Sequence, residues 1–110
     1  MTVAYIFSTP LASYILGRMI VPQLEEGRHG ARVAGMFFFA DNNYLLVRGN
    51  PVGERLAAVA GRTGMLLMGC DQCCFERQIA DRLVEGARIG CFPDLYAALG
   101  AAGVDQVITL

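Results

Sequence analysis

Short apolar runs alternate along this chain with segments that carry helix start and stop signals, and that alternation restricts the folds open to it. Val3–Phe7 is the first run, closed by Ser8–Thr9–Pro10, where Thr9 is expected to cap a helix with Pro10 at its first position. Leu11, Tyr14, Ile15, Met19 and Ile20 then recur at near-helical spacing, and Pro22 is expected to kink or shorten that helix. Gly27 and Gly30 frame a turn in which His29 reads as a solvated residue. Within Ala31–Ala40, the residues Val33, Met36, Phe37, Phe38 and Phe39 do not alternate with polar ones, as expected of a strand buried on both faces.

Asp41–Asn42–Asn43 ends that run as a loop, and Tyr44–Val47 reads as a short extra strand or extended segment. Asn50–Pro51 caps a helix through Arg62, which Thr63–Gly64 closes. Met65–Gly69 is the next buried strand, Asp71 is expected to cap a helix running to about Val84, and Ala87–Cys91 is a short strand. Pro93 opens a helix through Leu99, and Val107–Leu110 is a terminal strand. The predicted fold is α/β: a single domain, residues 1–110, built as a three-layer sandwich around a mostly parallel five-stranded sheet of the flavodoxin/Rossmann-like kind. Strand-to-helix loops then gather at the carboxyl edge of the sheet, where open α/β folds bind ligands. Thr9, Asp41, Asn42, Asp71 and Cys91 lie in those loops and are candidate binding residues.

Composition narrows the chemistry. All nine basic residues are Arg, which excludes a P-loop lysine, a Schiff-base lysine and a lysine base. His29 is the only histidine. A net charge of −1 gives no support to a nucleic-acid partner or an anionic membrane. The first 17 residues are uncharged, but without a basic start, and with Ser8, Thr9, Pro10 and Ser13 interrupting, they are read as neither signal peptide nor membrane span. The expected location is the cytoplasm, where the four cysteines would be thiols. With 55% apolar and only 17% charged residues, the domain is expected to hide surface in a homo-oligomer.

The chemistry concentrates at Cys70–Asp71–Gln72–Cys73–Cys74–Phe75–Glu76–Arg77. Cys70 stands where a strand meets a helix, a place where free N–H groups favour a thiolate, Cys73 lies in the first turn, and Arg77 is four residues further on the same face. Asp71 and Glu76 oppose that effect. Cys74 is rotated roughly 100° from Cys73 and is expected to pack inward. Cys91 ends the strand after the one that ends in Cys70, and at a strand spacing of about 4.8 Å it is a possible resolving partner. No intrachain metal site and no cofactor is expected: Cys70 and Cys73 make one Cys-x-x-Cys pair, with His29 and Cys91 distant in sequence.

With these residues in place, the chain resembles the DsrE/DsrF-like family of small α/β sulfur-relay proteins over almost its whole length. The likeness lies in the opening strand Ala4–Phe7, the apolar second strand, a cysteine at the end of the third strand and an Arg seven positions later, here Cys70 and Arg77. The tail from Phe92–Pro93–Asp94–Leu95 to Gln106–Leu110 also resembles the family's last helix and strand. The resemblance implies that Cys70 accepts a sulfane sulfur as a persulfide, with Arg77 as support, and that subunits assemble as trimers or hexamers. It implies a persulfide donor and a thiol acceptor as partners. The chain departs from the pattern in its extra thiols, Cys73 and Cys74, and in having Asp71 and Gln78 where many members have Gly. Cys73 would release the outer sulfur by forming a Cys70–Cys73 disulfide. Two other functions use the same residues: a thiol–disulfide switch, and a non-catalytic assembly or metal-binding module.

Overall fold

The computed structural model describes Met1–Leu110. Five strands, β1 (Thr2–Phe7), β2 (Arg32–Phe38), β3 (Leu66–Cys70), β4 (Arg88–Gly90) and β5 (Gln106–Thr109), form one sheet in the order β4-β3-β2-β1-β5. Every pairing is parallel. From β1 the chain steps in one direction to β4 and then returns across the sheet to β5. With right-handed crossovers, the three steps in one direction place their helices on one face and the return places its helix on the other.

The packing follows that rule. Helices α1 (Ala12–Ile15), α2 (Val21–Glu25), α3 (Pro51–Thr63) and α4 (Asp71–Glu76) supply buried residues to one core of 18 residues. Val3, Tyr5 and Phe7 from β1, with Met36 and Phe38 from β2, form its floor. The other face is covered by α5 (Phe92–Ala102) alone, whose Leu95 packs on Phe37 and Met68. The run of phenylalanines in β2 does not alternate because successive side chains enter different cores. β5 is an edge strand exposed along its whole length.

Local departures from the sequence expectations have identifiable causes. Thr9 does not cap: the helix starts at Ala12 with Leu11 before it, no side chain caps it, and the Thr9 carbonyl accepts the Ala12 N–H at 3.1 Å. Pro22 does not end the helix, which runs on to Glu25. Residues Leu16–Ile20 are wound as a π-helix just ahead of it, and Pro22 falls in the first turn of α2, where a missing N–H costs little. Residues Ala40–Leu46 form a 3₁₀ helix in place of a strand, and Val47 makes only an isolated bridge with Leu83. His29 is not merely solvated, because its Nε2 lies 2.8 Å from the buried Tyr5 hydroxyl.

The helix expected to reach Val84 stops at Glu76. Gln78 adopts a left-handed conformation, φ 55°, while the Ile79 N–H returns to the Cys74 carbonyl at 3.0 Å. This is a Schellman-type termination, with Ile79 closing onto the core. A left-handed side-chain-bearing residue costs about 1–2 kcal/mol, which is why Gly suits this position. Gln78→Gly is therefore expected to stabilise the fold by about 1 kcal/mol in urea unfolding, with an unchanged denaturant slope.

Candidate functional site

β3 and β4 are neighbours, yet the chain leaves them for opposite faces: β3 leads into α4 over the larger core, and β4 into α5 over the smaller. The crevice at the carboxyl end of such a pair is where open α/β sheets hold ligands. Cys70 ends β3 there, paired in register with Gly90 of β4. No helix of the chain is long and apolar enough to cross a membrane.

Cys70 is itself the N-cap of α4. Its backbone is extended, φ −67° and ψ 126°, and its Sγ accepts the Cys73 N–H at 3.4 Å. Asp71 is not the cap but the first helical residue, and its Oδ1 accepts the N–H of Gln72 at 2.7 Å. Since α4 is only six residues long, the sulfurs depend on individual N–H groups more than on a helix dipole. Cys73 has such a group: its Sγ accepts the N–H of Ala40 at 3.2 Å.

Ala40 is held in a left-handed conformation, φ 48°, which a residue with a Cβ adopts only when its surroundings impose it. The imposing group is Asn43, fully buried, whose Nδ2 donates to the Ala40 carbonyl at 2.9 Å. At its other end the Asn43 Oδ1 accepts the Cys74 S–H at 3.3 Å. A continuous set of bonds thus runs from buried Cys74 through Asn43 and Ala40 to Cys73. The sequence signal for Asn43 is an amide in the Asp41–Asn43 segment that follows a buried strand, a setting where Asn side chains often bond nearby backbone.

The electrostatics differ from the expectation for Cys70. Burial pushes its thiol above the ordinary range, a hydrogen bond to the Cys73 side chain adds to this, and the Cys73 N–H opposes it. Arg77 does not face Cys70. It caps the end of α4, with its Nε donating to Asp41 Oδ1 at 2.9 Å and its Nη1 to the Cys73 carbonyl at 3.2 Å. The pair ties α4 to the Ala40 segment, and with Asp41 well exposed it contributes little stability by itself.

Cys74 packs inward as expected, and burial together with the neighbouring Cys70 and Cys73 pushes its thiol up to about 11. The folded chain therefore holds this proton more tightly than the unfolded chain, whose thiol ionises near 9.0. Its stabilising effect is complete below that pH and is lost as pH rises from about 9 to about 11. Urea midpoints are expected to fall across that window by the equivalent of roughly 2 kcal/mol, and less in Cys74→Ala, which isolates this group from Tyr5.

Cys91 is exposed, and its Sγ donates to Asp94 Oδ2 at 3.2 Å within the capping box of α5. That hydrogen bond, and then burial, hold its thiol above the ordinary range. Thr9 and Asn42 do meet, with Asn42 Nδ2 donating to the Thr9 carbonyl at 3.0 Å. With Ser8, Ala40, Asp41 and Tyr44 they border a groove of about 360 Å³ that shares Ala40 with the Cys73 contact. No three His, Cys, Asp or Glu side chains are gathered as a metal ion would require.

Fold and site together define a small parallel α/β domain with a Cys-x-x-Cys pair at its topological switch point. Among solved structures the chain is similar to the ychN protein from E. coli, with a TM-score of 0.70 and 19% identity, covering 99% of this chain and 97% of that one. It is also similar to the protein of unknown function MTH1491 from Methanobacterium thermoautotrophicum, with a TM-score of 0.68, 14% identity and coverage of 99% and 97%. A third is the conserved protein of unknown function BT1422 from Bacteroides thetaiotaomicron, with a TM-score of 0.67, 11% identity and coverage of 99% and 94%. At these identities the likeness is one of fold. No family model matches the chain, and no curated protein matches it in sequence.

Proposed function

We propose that this chain is a cytoplasmic sulfur-relay protein of the DsrE/DsrF-like kind, in which Cys70 accepts a sulfane sulfur as a persulfide. The observation that carries this reading is the position of Cys70, half-buried at the carboxyl edge between β3 and β4, with a second half-buried thiol, Cys73, one turn away. Loading transfers neutral sulfur: the Cys70 thiolate attacks the outer sulfur of a donor persulfide, giving Cys70–S–SH and the donor thiolate. No metal or redox cofactor is needed for that step. Phe39 and Cys70 flank the same small apolar cluster, so a donor meets apolar surface on one side of the sulfur. The exposed edge strand β5, with Val107 and Ile108 open, is surface that a second copy would cover in a homo-oligomer.

The test is peptide-resolved mass spectrometry of Cys73→Ser protein after treatment with a persulfide donor. One added sulfur on the Cys70 peptide is the expected result; none would refute the reading. The raised Cys70 thiol sets the pH dependence. Only the thiolate attacks, so the loading rate should rise about tenfold per pH unit through neutrality and keep rising past the ordinary thiol range. A plateau by about pH 7 in stopped-flow loading would contradict that placement.

A thiol–disulfide switch is the second reading. It is favoured by the contact of the Cys73 N–H with the Cys70 Sγ at 3.4 Å, which sets the second thiol one helical turn from the first. A reversible Cys70–Cys73 disulfide with no sulfur uptake would establish it.

A further inference from the structure

A sulfur carrier that only stores its cargo needs one thiol, and a second one within reach endangers the persulfide. Cys73 is within reach. It lies one helical turn from Cys70, a spacing of about 5–6 Å that suits a disulfide. Its backbone N–H already touches the Cys70 Sγ. Its own Sγ receives the Ala40 N–H, delivered by a residue held at φ 48° and fixed through Asn43 to the buried Cys74. Backbone strain maintained by a buried amide, and ending in an N–H aimed at a sulfur, is a device for stabilising negative charge on that sulfur. Neither other thiol has this arrangement. Cys74 is sealed in the core, and Cys91 is the donor in a bond to Asp94.

We propose that this chain discharges the sulfur it accepts as hydrosulfide, with Cys73 as the displacing thiolate and Ala40 and Asn43 as its positioning residues. This rests on Cys70 being the acceptor. In the step, Cys73–S⁻ attacks the inner sulfur of Cys70–S–SH. The Cys70–Cys73 bond forms, the bond to the outer sulfur breaks, and HS⁻ leaves with that sulfur's proton. The outer sulfur is reduced from sulfane to sulfide, while the two cysteine sulfurs are oxidised to a disulfide. Two external thiols then restore both cysteines and leave as their own disulfide. The reaction that follows this protein must accordingly consume sulfide, and a reduced thiol pool must drive the cycle.

Reduced wild-type protein, Cys73→Ser and Cys73→Ala are each treated with a small persulfide donor in the absence of other thiols. Sulfide release and the peptide masses are then followed. The expected result is about one sulfide per chain with a Cys70–Cys73 disulfide in the wild type, and a retained Cys70 persulfide without sulfide in both variants. A wild-type chain that keeps its persulfide and releases no sulfide overturns this inference and leaves the relay function standing. Variants that fold but never load refute the relay function itself. Replacing the Phe39–Ala40 amide by an ester removes the N–H and weakens the Phe39 carbonyl that accepts the Asn42 N–H at 3.0 Å; it should slow release about tenfold or more and move its pH profile upward, with loading unchanged. An unmoved profile would remove Ala40 from the device.

Discussion

Cys70→Ser is expected to abolish sulfur loading while leaving the fold intact. The serine hydroxyl accepts the Cys73 N–H as the thiol does, at a position that caps α4, and Ser is among the better capping residues. The change is therefore neutral or slightly favourable to stability, and the loss is confined to chemistry. An alcohol at neutral pH supplies no appreciable anion and forms no persulfide, so loading should fall to the background of a thiol-blocked protein. The other thiols are not expected to substitute. Cys74 is sealed from solvent and Cys91 is hydrogen-bonded to Asp94. Intact-mass spectra after donor treatment check this, and undiminished loading in the variant would move the acceptor role to one of those residues.

Gly69→Ala is expected to be the most damaging conservative change near the site. A Cβ at Gly69 would lie 2.5 Å from Asn43 Oδ1 and 3.1 Å from Cys74 Sγ. Both atoms are buried and bonded to each other, so neither yields without breaking the link that fixes Ala40. Overpacking of this kind costs about 1–3 kcal/mol, with the loss of a buried hydrogen bond in addition. A total of about 3 kcal/mol or more is expected in urea unfolding, together with slower sulfide release from the fraction that remains folded. By contrast Gly35 meets Leu66 Cβ at 3.0 Å, a wider gap than the 2.5 Å at Gly69 and one that involves no buried hydrogen bond, and Gly35→Ala should cost less. Equal losses at the two positions would show that Asn43 is not held rigidly.

The architecture was readable because each strand of the sheet coincides with an apolar run and each long helix with a capped, periodic segment. Asn50 caps α3 by accepting the Val52 N–H, Pro51 opens that helix, and Gly64 ends it in a left-handed turn, as those residues favour. The location of the thiols was readable for the same reason, since a cysteine ending a buried strand must lie at the carboxyl edge. The missing parts depend on contacts between segments distant in sequence. Nothing local shows that Gln78 adopts φ 55°, because Gln carries no preference for that region; the packing of Ile79 into the core imposes it. Nor does Arg77 announce that it turns to Asp41, 36 positions away, rather than to Cys70. The contact between Ala40 and Cys73 exists only because β2 and β3 are neighbours, and it came with an unanticipated role for Asn43. The two strands are neighbours as expected, but Cys70 pairs with Gly90, and Cys91, one residue past the strand, is the N-cap of α5 with its side chain committed to Asp94.

Whether Cys70 accepts sulfur is decided by a peptide-resolved mass spectrum of donor-treated Cys73→Ser protein, alkylated without reduction. A single additional sulfur is expected on the peptide carrying Cys70 and none on those carrying Cys74 or Cys91. An unmodified Cys70 in a folded protein, or sulfur found instead on Cys91, would contradict it.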